Sequence, residues 1–273
     1  MTETRPPHDQ PEPTAYPEEW WRDYLTRGSP FERRARGVMK LLPSSPRCHL
    51  CAAPFAGPAA PIMRLVGRAR SPSSPHMCNA CSTFMIEHRG GAEIEGTMLF
   101  ADVRGSTTLA ESMSPREFRD RMDRFYTVAS ETVFHYDGTV DKFVGDEIVA
   151  MFVPLLTGER HAAKAVEAAR ALLRATGHED AAGPWLPVGA GVNTGRAWFG
   201  AVGDGDHTEL TALGDMVNVT ARLAAAAAAG EVLVTASSAR TAELDPALPH
   251  RVLELKGKQA PTEVVSLRVG LRT

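Results

Sequence analysis

Two aspartates, a lysine, a threonine and an Asn/Arg pair stand in three short stretches of this 273-residue chain. Asp102 lies in Leu99-Phe100-Ala101-Asp102-Val103-Arg104-Gly105-Ser106, and Lys142 and Asp146 in Lys142-Phe143-Val144-Gly145-Asp146-Glu147. Thr211, Asn218 and Arg222 share the stretch that begins Thr211-Ala212-Leu213-Gly214-Asp215. Carboxylates are hard oxygen ligands, and two aspartates can hold two divalent ions, one at an attacking oxygen and one at the phosphates. Asp102 ends an apolar run and precedes Gly105-Ser106-Thr107, where the free N–H groups of a starting helix suit a triphosphate. Val103, Gly105, Ser106 and Thr107 are therefore the candidate phosphate donors. A lysine ammonium donates to a purine N1, and a threonine hydroxyl can accept from an adenine N6 amine. Guanine presents the reverse pattern on that edge, an N1–H donor and an O6 acceptor, which a lysine opposes. Asn218 and Arg222 are four residues apart and share a helix face. A forked, permanently charged guanidinium suits a charged phosphorus centre better than lysine does. Taken singly, an Asp in a tight turn is a turn residue and an exposed lysine is inert. The joint pattern is what points to two-metal phosphoryl transfer on a purine nucleotide.

A second constellation lies upstream. All four cysteines fall in two Cys-x-x-Cys pairs, Cys48/Cys51 and Cys78/Cys81. That grouping favours a metal over disulfides, and its spacing fits a tetrahedral Cys₄ zinc ion stapling a small module that cannot bury a core. An iron–sulfur centre or a redox dithiol is the alternative. His49 and His76 are adjacent and could substitute as ligands, although four cysteines suffice.

These residues need elements to position them. Residues 1–16 are Pro-rich and polar and read as a disordered tail. Pro17 to Arg27 reads as a short amphipathic helix carrying Trp20, Trp21, Tyr24 and Leu25, with core packing favoured over a docking role for the tryptophans. Ser29-Pro30-Phe31-Glu32 is a capping box that opens a helix to about Leu42. Gly90-Gly91 marks a junction between a module at 17–90 and a second domain at 91–273. There Thr97 to Val103 reads as a buried strand, and Ser114-Pro115-Arg116-Glu117 caps a helix to about Tyr136. Thr139–Val144 and Glu147–Val153 form a hairpin around Gly145-Asp146. His161–Thr176 is a helix, Pro187–Asn193 and Ala197–Val202 are two strands, and Gly214–Ala229 is a helix stopping at Gly230. Strands follow at Glu231–Thr235, Arg251–Leu255 and Glu263–Val269. The mixture predicts an α+β fold, a ferredoxin-like α/β sandwich with a mainly antiparallel sheet, plus the small helical and metal-binding module.

Composition bounds the rest. A hydrophobic content of 43% is ordinary for a chain with a real core, and a formal charge of −3 argues against general nucleic-acid binding. The longest apolar run, Ile148 to Leu156, is about half the ~20 residues of a membrane helix, and no basic-then-apolar leader opens the chain. A cytoplasmic location with no membrane span is the expectation. Arg33, Arg34, Arg36, Lys40, Arg47, Arg64, Arg68 and Arg70 face a single acid, Glu32, within residues 31–70. They are either a solvated face or a surface for an acidic partner, RNA or lipid, and residues 17–90 are the candidate region for a regulatory protein partner.

Over about residues 93–270 the motifs closely resemble the class III nucleotidyl cyclases. The resemblance implies in-line attack of the ribose 3′-oxygen on the α-phosphate of ATP, giving cyclic AMP and pyrophosphate in intracellular signal transduction. It implies two Mg²⁺ or Mn²⁺ ions on Asp102 and Asp146, Asn218 orienting the ribose, and Arg222 stabilising the pentavalent phosphorus. It also implies a homodimer whose sites take Asp102 and Asp146 from one chain and Lys142, Thr211, Asn218 and Arg222 from the other. In the resembled family the position of Thr211 is often Asp or Thr when ATP is the substrate, and threonine resembles the bicarbonate-responsive subclass. Two other readings stand beside adenylate cyclase. One is a guanylate or diguanylate cyclase, the latter echoed by Val144-Gly145-Asp146-Glu147-Ile148, although Lys142 and the Asn218/Arg222 pair are foreign to it. The other is a non-catalytic nucleotide sensor or interaction protein built on the zinc-like module.

Overall fold

A computed structural model describes residues 15–28, 30–42, 46–74, 76–203, 208–258 and 260–270. Residues 1–14 of the tail predicted at 1–16, and the N-cap Ser29, lie outside the described residues; Tyr16 is not free tail, since its N–H donates to the Arg89 carbonyl at 2.8 Å and its ring packs on Trp20 and His88. Four helices come first: α1 (Glu18–Thr26), α2 (Pro30–Leu41), α3 (Ala60–Leu65) and α4 (Asn79–Glu87). Strand β1 (Gly90–Val103) leads into α5 (Ser106–Glu111) and α6 (Pro115–His135), followed by the hairpin β2 (Thr139–Val144) and β3 (Glu147–Phe152). Then come α7 (Pro154–Thr157), α8 (His161–Ala175), β4 (Val188–Val202), β5 (Glu209–Leu213) and α9 (Asp215–Ala226). The chain closes with β6 (Glu231–Thr235), α10 (Ala236–Thr241), β7 (His250–Leu253) and β8 (Thr262–Arg268).

The eight strands form one sheet in the order β2-β3-β1-β4-β6-β8-β7, with β5 on β4. Every pairing is antiparallel except β4 with β6. The mixed α+β fold with a mainly antiparallel sheet is as the sequence predicts. Period-two alternation divides β1 between two cores. Leu99, Ala101 and Val103 face α6 and α8 with Phe125, Phe152 and Leu172. Ala92, Ile94, Met98 and Phe100 face the other layer, with Trp21, Met216 and Ala224. Each large apolar side chain fully buried in these layers contributes about 1.5–3 kcal/mol.

Local signals hold where they are strong. The Ser114 hydroxyl accepts from the Glu117 N–H at 3.3 Å and the Glu117 carboxylate accepts from the Ser114 N–H at 2.8 Å, so α6 starts as its capping box requires. Three expectations need correction. The two strands predicted at 187–193 and 197–202 are one strand, because Thr194, Gly195 and Arg196 pair without a break with Thr97, Gly96 and Glu95. Gly90 and Gly91 are the first residues of β1, paired with Ala201 and Gly200. The predicted strand start at Thr97 is thus seven residues late. Helix α9 ends at Ala226 with an extended Ala227, and Gly230 (φ +74°) serves the turn into β6.

The glycines of β1 and β4 meet closely. A Cβ on Gly200 would lie 2.3 Å from the Gly90 carbonyl oxygen and 2.4 Å from the Gly91 Cα. Only hydrogen fits there. Upstream elements pack directly on this region. Trp21 and Leu25 of α1 are fully buried, and the Trp21 ring N–H donates to the Arg89 carbonyl at 3.4 Å. Trp20 stacks on Tyr24 and His88 with ring centroids 5.3 and 5.2 Å apart. The tryptophans are packing residues.

Candidate nucleotide and metal sites

The acid end is built by the strand register. Asp102 near the end of β1 pairs directly with Glu147 at the start of β3. Asp146 sits in the preceding turn, where Gly145 (φ +59°) takes the left-handed conformation that a tight hairpin needs. The Tyr126 hydroxyl on α6 donates to the Gly145 carbonyl and pins the hairpin tip. Asp102 and Asp146 thereby converge within hydrogen-bonding reach of each other. Burial pushes Asp102 up from the ordinary carboxylate range, Arg104 opposes that, and Asp146 adds to it. Burial, then Asp102 and Asp146, push Glu147 up to about 7. Three carboxylates and one arginine make this a place that calls for cations. Arg104 pairs with the Asp102 carboxylate and also donates to the Ala225 and Ala227 carbonyls, at 2.9 and 3.3 Å. The end of α9 is thus tied to the acid end.

Next to Asp102, Gly105 (φ +68°) caps α5. The first-turn N–H groups of Ser106 and Thr107 have no intrahelical acceptor. The Val103 N–H is already bonded to the Asp146 carbonyl at 3.3 Å, so the candidate phosphate donors left are Gly105, Ser106 and Thr107.

A separate base end joins Lys142 on β2 to Thr211 on β5. The Thr211 hydroxyl donates to Asp141 Oδ2 at 2.9 Å, and Lys142 Nζ lies 3.5 Å from Asp141 Oδ1. Glu209 stands 3.9 Å from the same ammonium. The Asp141 side chain is only 3% exposed. Burial raises its pKa, and Lys142 and the Thr211 hydroxyl hold it back. Strict alternation would place Asp141 and Lys142 on opposite faces. A β-bulge between Val140 and Lys142 breaks the register and brings both to Thr211. Asp141, like Glu147 and Arg104, is not among the residues predicted from sequence. Its signal is an acid directly before Lys142, which means nothing until the bulge is seen.

Asn218 and Arg222 occupy one face of α9, Asn218 exposed and Arg222 half-buried. Among the described residues neither side chain has a hydrogen-bond or ion-pair partner. The Arg222 guanidinium borders Gly257, 3.5 Å from where its Cβ would stand.

The four cysteine sulfurs lie within 4.8 Å of one another, and Cys51 Sγ is 3.7 Å from Cys78 Sγ. A tetrahedron with 2.3 Å zinc–sulfur bonds has edges of about 3.8 Å, so the donor set fits that ion. Two knuckles present it. Ala52 (φ +66°) closes the first turn with its N–H on the Cys48 carbonyl at 2.9 Å, and the Cys78 N–H points at Cys48 Sγ at 3.3 Å. His49 and His76 are not ligands in this cluster; their rings stack on each other at 5.0 Å. Together with Asp141, Thr208 and Glu209 they line a cavity of about 230 Å³ between the module and the base end. Arg36 donates to the His49 carbonyl at 2.9 Å and to the Leu50 carbonyl. Lys40 pairs with Asp137 at 2.7 Å. Arg36, Lys40 and Arg47 all stand over the Phe134 ring, 5.0 to 5.9 Å from its centre. These three cations of the basic stretch are engaged within the chain, not offered to a partner.

Residues 92–271 match the model of the adenylate and guanylate cyclase catalytic domain. The chain is similar to adenylate cyclase 1 of Rhizobium meliloti, 35% identical over 134 residues, which are 47% of this chain and 20% of that protein. It is also similar to the terminal-differentiation-specific adenylate cyclase of Dictyostelium discoideum, 33% identical over 129 residues, 46% of this chain and 6% of that protein. The matched region is thus a fifth or less of these relatives' length. Among solved structures, the guanylyl cyclase Cya2 aligns with a TM-score of 0.58 at 25% identity, covering 67% of this chain and 95% of that one. The adenylyl cyclase CyaB from P. aeruginosa aligns with a TM-score of 0.57 at 27% identity, covering 67% and 97%. With the acid end, the base end and the α9 pair set in this fold, the chain belongs to the adenylate and guanylate cyclase catalytic domain family.

Proposed function

We propose that the chain is an adenylate cyclase that converts ATP to cyclic AMP and pyrophosphate at sites shared between two copies. One observation carries the choice of base: Lys142 and Thr211, distant in sequence, both reach one buried carboxylate, Asp141. A donor beside an acceptor is the complement of the adenine N1/N6 edge. Asp102 and Asp146 would hold two Mg²⁺ or Mn²⁺ ions, whose charge supports the attacking 3′-oxygen and the leaving pyrophosphate. Gly105, Ser106 and Thr107 bind the phosphates through backbone N–H groups. Asn218 orients the ribose, and Arg222 faces the charge that builds at phosphorus. That Asn218 and Arg222 lack partners among the described residues supports their use on a ligand held by the facing copy.

Four cysteines in zinc geometry support one structural Zn²⁺ holding residues 46–89 together. Residues 17–90 then form a module against the catalytic domain at 91–273, and remain the place for a regulatory protein partner. No helix among the described residues is long and apolar enough to cross a membrane. A cytoplasmic site of action accords with the chemistry, since ATP is its substrate.

The test is a product assay. Purified full-length protein with Mn²⁺ or Mg²⁺ is expected to turn ATP into cyclic AMP, and conversion of neither ATP nor GTP under either ion would end the cyclase reading. Cyclic GMP as the main product would favour the guanylate alternative. An Asp102→Ala chain mixed with an Arg222→Ala chain is expected to recover part of the lost activity. No recovery would refute the shared site.

A further inference from the structure

A threonine hydroxyl can read either purine. It has one proton to donate and two lone pairs that accept, and it rotates to suit its neighbour. Thr211 has lost that freedom. Its proton is directed at Asp141 Oδ2 at 2.9 Å, on a carboxylate that is 3% exposed. Burial raises the Asp141 carboxyl, and Lys142, 3.5 Å from the other oxygen, together with the Thr211 proton works against that rise; the ionised form they support can only accept. What Thr211 then offers a ligand is lone pairs alone. Lone pairs match the N6 amine of adenine and oppose the O6 carbonyl of guanine. Lys142 beside it offers protons alone, matching adenine N1 and opposing guanine N1–H.

We propose that Asp141 is a positioning residue that determines base selectivity by holding the Thr211 hydroxyl as an acceptor. The inference rests on the nucleotide reading of the base end and deepens it. The bulge in β2 is what makes it feasible, because a regular strand would turn Asp141 away from Lys142 and Thr211. Replacing Asp141 by asparagine keeps the shape but adds amide protons. The amide can then donate to the Thr211 oxygen and free the hydroxyl proton to face guanine O6.

The experiment compares ATP and GTP on full-length wild-type and Asp141→Asn protein, as kcat/KM for each nucleotide. In parallel, equilibrium dialysis measures binding of the unreactive α,β-methylene analogues of ATP and GTP. The ATP-to-GTP ratio is expected to fall on the order of tenfold or more in Asp141→Asn, in turnover and in binding, with KM moving more than kcat. A merely structural Asp141 would lower both nucleotides alike, so an unchanged ratio overturns the inference. Thr211→Val provides the second route should Asp141→Asn not fold: it must also lower the ratio, while Thr211→Ser must keep it. A wild-type ratio in Thr211→Val overturns the inference independently. In the double variant, Asp141→Asn must add nothing to the effect of Thr211→Val; additive effects would mean that Asp141 does not act through Thr211. If wild-type protein binds the analogues selectively but turns over neither nucleotide, the cyclase reading fails and the selectivity inference stands. Turnover with an unmoved ratio is the opposite case, and binding of neither analogue overturns the selectivity inference.

Discussion

At the acid end of the candidate site three carboxylates, Asp102, Asp146 and Glu147, share one arginine, and burial and mutual repulsion push Glu147 up to about 7. At the base end one buried carboxylate, Asp141, is matched by Lys142 and a threonine hydroxyl. The first arrangement is under-compensated within the chain and gains most from added positive charge. The second has less excess charge, with Lys142 between Asp141 and Glu209, and the Thr211 proton is committed to Asp141 before any ligand arrives. The proposed function therefore puts the chemistry that needs ions at the first end and discrimination between bases at the second, because a polar site reads an edge well only when its own groups are fixed.

Substitutions can break or sharpen this contrast. The largest effect is expected at the acid end: Asp102→Ala or Asp146→Ala should each lower cyclic AMP formation by about 10³-fold or more, read as kcat at saturating Mn²⁺. The zinc-like module backs the base end, because its His49 ring is within hydrogen-bonding reach of the Val140 backbone beside Asp141. Cys51→Ser should therefore remove bound zinc, seen by native mass spectrometry. It should also lower unfolding stability by about 2–4 kcal/mol in a denaturant titration. Lys142→Met should cost about 10–100-fold in kcat/KM, mostly through KM, since it removes recognition and leaves the acid end intact. A loss in kcat alone would blur the contrast.

The smallest effect isolates the excess charge. Folded Glu147 keeps its proton up to about 7, against an ordinary value of 4.5. Between those values the folded chain binds more protons than the unfolded one. The Glu147 contribution is therefore complete below about pH 4 and is lost as pH rises from 4.5 through 7. Without added magnesium or manganese, Glu147→Gln should be more stable than wild type at pH 8 by about 1–3 kcal/mol and equal to it near pH 4. Urea titrations at the two pH values check this.

Much of this architecture is legible in the sequence. The Ser114 capping box, the Gly145-Asp146 turn and the paired cysteines are local signals, and each forms what its few residues dictate. The acid end follows from them, since a strand ending at Asp102 and a hairpin tipped by Asp146 need only be neighbours. What stays hidden depends on register. Gly195 reads as a break until β1 pairs straight across it, and Asp141 reads as an outward-facing strand residue until the bulge turns it. Strand β5 escapes notice because Glu209-Leu210-Thr211-Ala212-Leu213 is short and acquires its strand form from pairing with β4. Arg104 belongs with Asp102 and α9 only once the fold brings Ala225 and Ala227 beside it.

Gly200 stands in register with Gly91 on one side and Thr211 on the other. A residue with no side chain therefore sets the address of the hydroxyl proposed to read the purine. Even a methyl group there would wedge two backbones apart, and the displacement would be inherited by the neighbouring strand. On the proposed reading, nucleotide preference is vulnerable to drift at a backbone position that offers a ligand no side chain, and a survey confined to the reading side chains would miss it.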